Sequence, residues 1–151
     1  MRKSKRFEPI HEIAATSAKD LSRVMAEAER KVADLEKQLG QLKTYRDEYV
    51  RNSTQDNGSM DAVKLQNYRS FLDRLGEAMR QHNRNLEHAR AEYEHRRAQW
   101  SAKRIEAESL SRVMERFRRE EQHAADRREQ HDGDEAAMRV AFASRIDLGN
   151  H

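Results

Sequence analysis

The chain has no cysteine and a single proline, Pro9, among its 151 residues. Without cysteine there are no disulfides and no thiolate metal sites. Long apolar runs are missing too: none approaches the ~18 residues needed to cross a bilayer as a helix. The basic cluster Arg2, Lys3, Lys5 and Arg6 lacks the apolar stretch that would make it a signal peptide. The five glycines, at 40, 58, 76, 133 and 149, form no phosphate-cradling loop, and the Gly-x-x-x-x-Gly-Lys pattern is absent. Extended charge of one sign is also scarce. Acids and bases interleave, as in Glu27, Glu29, Arg30, Lys31, Asp34, Glu36 and Lys37, which reads as a solvated helix face and speaks against nucleic acid as a partner.

What the chain does have is charge and a narrow stripe. Charged residues make up 38% and hydrophobic ones 36%, too lean for a three-dimensional core but adequate for a seam between two helices. The stripe reads Ala14, Ala18, Leu21, Met25, Ala28, Val32, Leu35, Leu39, Leu42, Arg46, Tyr49. After a polar break it resumes through Leu65, Tyr68, Leu72, Leu75, Met79, His82, Leu86, Ala89, Tyr93, Arg96 and Trp100, and then through Lys103, Ala107, Leu110, Met114 and Phe117. Alternating steps of about three and four residues keep one helix face toward a partner. A disordered segment would have no reason to hold that phase. The expected fold is all-α, a long two-helix antiparallel coiled-coil hairpin.

Pro9 fits a helix start, and Arg51 to Gly58 is the concentrated turn signal. Ser59 can cap the second helix, with Asp61 set favourably against its dipole. His131-Asp132-Gly133 reads as a stop. One hairpin domain, 1–151, follows, with helix one over about 9–50, a loop over about 51–59, helix two over about 60–130 and a tail over 131–151. At about 1.5 Å per residue the first helix is roughly 63 Å long and the second roughly 105 Å. Folding back at that loop pairs residues whose numbers sum to about 110. Ala18 then faces Tyr93, Leu21 faces Ala89, Met25 faces Leu86 and Ala28 faces His82. On this register Ala107, Leu110, Met114 and Phe117 have no mate.

Catalysis has nowhere to reside: no carboxylate pair stands out, and a slender hairpin encloses no pocket. No enzyme activity, cofactor or small-molecule substrate is expected. Of the seven histidines, His88 and His95 are two turns apart, about 10 Å of rise, too far for one metal ion. His82 lies in the seam as an interfacial histidine. The flanks are more informative. With Leu35, Leu42, Tyr49, Leu75 and His82 at d, the g positions hold Gln38, Tyr45, Phe71 and Ala78. The opposite edge carries Glu29, Glu36, Lys43, Arg69, Asn83 and Arg90 and is polar. The aromatic g edge near the loop either widens the core or offers a patch to a partner protein.

The run Tyr45-Arg46-Asp47-Glu48-Tyr49, the later Arg96-Arg97-Ala98-Gln99-Trp100, and Leu110, Arg112, Glu115, Arg116 with a terminal Asp134-Glu135 resemble the FliJ family. That family is the small coiled-coil component of the bacterial flagellar type III export apparatus, and the resemblance spans about residues 5–140. It implies a stalk, similar in shape to the rotor subunit of F-type ATPases, that enters the hexameric export ATPase ring and promotes its assembly. It also implies coupling to the cytoplasmic domain of the transmembrane export gate and contact with export chaperones, in the service of flagellum assembly, motility and chemotaxis. The family's gate-binding surface falls on Gln38, Leu42, Tyr45, Tyr49, Phe71, Leu75, Ala78 and His82. The open end, with the N-terminus and the unmated Ala107, Leu110, Met114 and Phe117, would enter the ring. The implied setting is cytoplasmic, peripheral to the cell membrane at the flagellar base, as a monomer when free. The equivalent stalk of a virulence-type secretion system is an alternative, and a generic coiled-coil scaffold is another.

Overall fold

A computed structural model describes residues 2–55 and 61–149. Two helices account for nearly all of them: α1, Lys3–Gln55, of 53 residues, and α2, Ala62–Gly149, of 88. No strand occurs among the described residues. The chain is an all-α antiparallel hairpin whose second helix is the longer, as the interrupted stripe requires.

Both helices outrun their expected ends. α1 begins six residues before Pro9, which is therefore interior and exposed. There the ring denies a hydrogen bond to the carbonyl four residues earlier. At its other end α1 continues through part of the expected loop. The Ser53 hydroxyl donates to the Tyr49 carbonyl at 2.8 Å, and that of Thr54 to the Val50 carbonyl at 3.1 Å. These polar side chains are spent on the helix's own backbone instead of opening a turn. The rest of the expected loop, with Ser59 as cap, lies outside the described residues. Asp61 is the cap of α2: its carboxylate accepts from the Lys64 N–H at 2.8 Å and its carbonyl from the Leu65 N–H at 3.0 Å. That satisfies donors a helix start leaves open. α2 then passes through the expected stop at Gly133, at a cost of about 1 kcal/mol relative to alanine. The alanines and the Glu135–Arg139 pair beyond it favour helix.

Contacts divide the chain into two units, Ser17–Lys103 and Met1–Thr16 with Arg104–His151. In the first, Leu39, Leu75, Met79 and Leu86 are buried, and Val32, Leu35, Leu42 and Phe71 pack against them. In the second, Ala14, Met114 and Ser4 are buried. Among the described residues no large side chain is completely enclosed, because two helices cannot surround a residue on all sides.

The register differs from the expected one. Within Ser17–Lys103, Arg46 meets Met79 and Glu36 meets Arg90. Within the other unit, Ser4 meets Glu121, Phe7 meets Phe117 and Glu8 meets Arg118. These pairs sum to about 125, roughly two heptads beyond the expected value. A slide by whole heptads leaves every seam residue in the seam, so the stripe cannot choose between the registers. The helix ends choose: α1 reaches Gln55 and α2 starts at Ala62, which moves the fold-back point later. Side chains leaning toward their own N-termini add to the offset in an antiparallel pair.

Candidate functional site: a loop-proximal aromatic face

The eight residues expected at the gate surface all belong to the unit Ser17–Lys103, four from each helix. The local sequence explains their grouping. Leu42, Tyr49, Leu75 and His82 are seam positions, and Gln38, Tyr45, Phe71 and Ala78 flank the seam on one edge. Four aromatic rings form a connected cluster. Tyr49 and Phe71 have centroids 4.3 Å apart, and Tyr49 stacks on Tyr68 at 5.4 Å. Tyr45 stands edge-on to Phe71 at 6.0 Å. Offset and edge-on contacts of this kind add about 0.5–1.5 kcal/mol beyond buried area.

The two readings of the aromatic edge both describe part of it. Leu75 is buried, and Leu42, Tyr49, Phe71 and His82 are half-buried, so these widen the core. Gln38, Tyr45 and Ala78 are exposed, and Tyr45 keeps 52% of its surface in solvent. Phe71 beside it restricts the Tyr45 ring, which reduces the entropy a partner must remove on binding it. Tyr68 completes the cluster and was missing from the expected site. Its seam position in the restarted stripe was the available signal. The His82 Nε2 is buried without a hydrogen-bond partner. Arg46 reaches across to the Met79 sulfur at 4.0 Å, and its contact rims the cluster with charge.

The unmated seam expected at the other end does not exist. In the unit that contains it, Met114 is buried, Phe117 packs on Phe7 with centroids 5.5 Å apart, and Ala107 and Leu110 are half-buried. The early start of α1 and the later register supply the mates. Lys3 and Arg116 add cation contacts to the Phe117 ring at 5.5 and 5.9 Å. The carboxylate of Glu121 accepts from the Ser4 hydroxyl at 2.7 Å and from the Ser4 backbone N–H at 3.1 Å. It thereby caps the first turn of α1 from the other helix, and these bonds hold its carboxyl below the usual carboxylate range. The large exposed apolar residues of this unit are Ile10, Ile13, Ile105, Met138, Val140, Phe142, Ile146 and Leu148.

Chemically, the loop-proximal face offers exposed aromatic and apolar surface of a kind that binds protein. Glu77 is held below its ordinary value first by a hydrogen bond from Arg80 and then by its charge, a surface ion pair 2.8 Å long on one helix. Among the described residues one group of possible metal ligands comes together, His131, Asp132 and Glu135, all exposed with donor atoms within 4.8 Å. The histidines weighed from sequence, His88 and His95, are not part of it.

Comparison with known families matches residues 3–145 to the flagellar FliJ protein model. The chain belongs to the flagellar FliJ family. Neither curated proteins nor solved structures return a match. Membership makes the chain a component of the flagellar protein export apparatus, in a family whose members are structural parts of it. Its partners are therefore other parts of that apparatus. No helix among the described residues is long and apolar enough to cross a membrane.

Proposed function

We propose that this FliJ-family chain is a non-enzymatic stalk linking the hexameric export ATPase to the cytoplasmic domain of the export gate, on the cytoplasmic side of the membrane. The observation that carries the reading is the exposed Tyr45 ring set edge-on to Phe71, which itself packs on Tyr49. An aromatic anchor fixed near the loop is the kind of residue that dominates protein interfaces. The gate contact comprises Gln38, Leu42, Tyr45, Tyr49, Phe71, Leu75, Ala78 and His82, with the buried Leu75 supporting and Tyr45, Gln38 and Ala78 touching.

The ATPase contact is proposed on the unit that includes Arg104–His151, where Ala107 and Leu110 remain half-exposed. Met114 and Phe117 support that surface from within the hairpin. Export chaperones share this apparatus as further partners, and the free chain is a monomer.

The direct test adds the purified chain to the flagellar export ATPase and follows ring formation and hydrolysis rate together. Both should rise, and no change in either would remove the stalk reading. For the gate, Tyr45→Ala should weaken binding to the gate's cytoplasmic domain by about tenfold, the loss of one aromatic hot spot. Helicity should stay intact, since the ring is half in solvent. Unchanged affinity would take the aromatic face out of the mechanism.

A further inference from the structure

The flanking edge that carries the aromatic face does not end with it. One heptad further from the loop, Gln38 and Ala78 are followed by Lys31 and Asn85, and another heptad along α2 brings Glu92. There the edge is concave. Lys31, Asn85 and Glu92, together with His88, rim a hollow of about 620 Å³ between the helices, and its floor is Ala28, Leu35 and Ala89. The cause is local. Ala28 stands at d between Leu21 and Leu35, and Ala89 at the d position that Leu75 holds two heptads earlier. Such small side chains close the seam, with Ala89 buried, but leave the space above it unfilled. The rim is unevenly committed. The Glu92 carboxylate accepts from Arg96 at 2.7 Å, and the Asn85 side-chain oxygen from Gln81 at 3.1 Å. Among the described residues neither the Lys31 ammonium nor the His88 ring has a hydrogen-bond or ion-pair partner, and both are exposed. The groups left free on the rim are therefore ones that can donate.

We propose that this hollow is a second anchor point for the partner of the aromatic face, and that it receives a side chain ending in a carboxylate. The stem of that side chain lies on Ala28, Leu35 and Ala89, and its carboxylate meets Lys31 and His88. The proposal rests on the reading of the aromatic face as the contact for the export gate. Continuity selects the partner. Lys31 lies two heptads from Tyr45 along α1, about 21 Å, a distance that an interface of ordinary size spans. The free donors select the charge, because a carboxylate between an ammonium and an imidazole makes charge-assisted bonds. The apolar floor gives the stem area to bury. Ring and hollow then divide the work, the ring supplying affinity and the charged contact fixing orientation and choice of partner.

The test measures the affinity of the full chain for the purified cytoplasmic domain of the gate at low and high salt. Lys31→Glu should weaken binding by about tenfold at low salt and by less at high salt. His88→Ala should weaken it severalfold. Ala28→Leu fills the hollow without touching its rim, and should also weaken binding severalfold while circular dichroism stays unchanged. Tyr45→Ala serves as the reference. Loss with Tyr45→Ala but none with Lys31→Glu and Ala28→Leu would overturn the proposal and leave the gate reading standing. Loss with Lys31→Glu and Ala28→Leu but none with Tyr45→Ala would keep the hollow and take the aromatic face out of the contact. A response to Ala28→Leu with indifference to Lys31→Glu and to salt would overturn the carboxylate, and the proposal with it. A gate domain that does not bind the wild-type chain at all would overturn both readings.

Discussion

The two units of this hairpin close the same kind of seam with different chemistry. In Ser17–Lys103 the seam is held by Leu39, Leu75, Met79 and Leu86, with four rings beside the loop. In the unit built from the start of α1 and Arg104–His151, it is held by Met114, one phenylalanine pair and a carboxylate that caps the opposing helix. The first depends on buried area, which is nearly indifferent to pH and salt. The second depends partly on hydrogen bonds to an ionised group, which is not. A coiled coil can therefore have one seam and two different responses to its surroundings.

The sharpest way to break that comparison is to truncate each core. Leu86→Ala should cost about 3 kcal/mol and Met114→Ala about 2 kcal/mol, within the range for large-to-small changes where neighbours relax only partly. Denaturant unfolding measures both, and hydrogen exchange should locate them. Leu86→Ala should loosen amides around residues 32–42 and 71–89, and Met114→Ala those around 4–16 and 107–121. If either change loosens both sets equally, the units do not differ in the way described.

A smaller effect separates them by pH. The Glu121 carboxyl is held low by its bonds from Ser4, so the unfolded chain binds its proton more readily. Its stabilisation is present above the unfolded value of about 4.3 and fades as pH falls through the lower folded value. Amide protection around Ser4 should therefore drop below about pH 4, and Glu121→Gln should remove that dependence. Protection around Leu39 and Leu86 should be the less sensitive of the two. The smallest expected effect concerns the exposed Arg90–Glu36 pair, 3.0 Å long. A double-mutant cycle should return less than about 1 kcal/mol, leaving apolar burial as what holds Ser17–Lys103 together.

Much of this was legible before any coordinates. Period alone identified two helices, and heptad phase placed Tyr45 and Phe71 on one edge, where they do meet. Phase could not report that Phe117 has a mate, because sliding one helix by two heptads keeps Phe117 in the seam while changing what faces it. Nor could turn composition locate the fold-back point. Ser53 and Thr54 favour turns in isolation, yet here they bond to carbonyls of their own helix. Glu121 carried no signal in the sequence, since its partner Ser4 lies before the expected helix start. Ile10 and Ile13 carried a weak signal, being isoleucines off the stripe.

The sequence by itself determined that this chain is helical, that it folds back once, and which face of each helix is apolar. Those properties follow from the spacing of side chains along a helix of known pitch, and spacing is written in the order of residues. The tertiary structure decided the register, and with it which surfaces remain open. Register is a balance among alignments that bury similar seams, set by where the helices end and by which particular pairs meet. That balance buried Met114, gave Glu121 a helix end to cap, and left Tyr45, Ile10 and Ile13 facing outward.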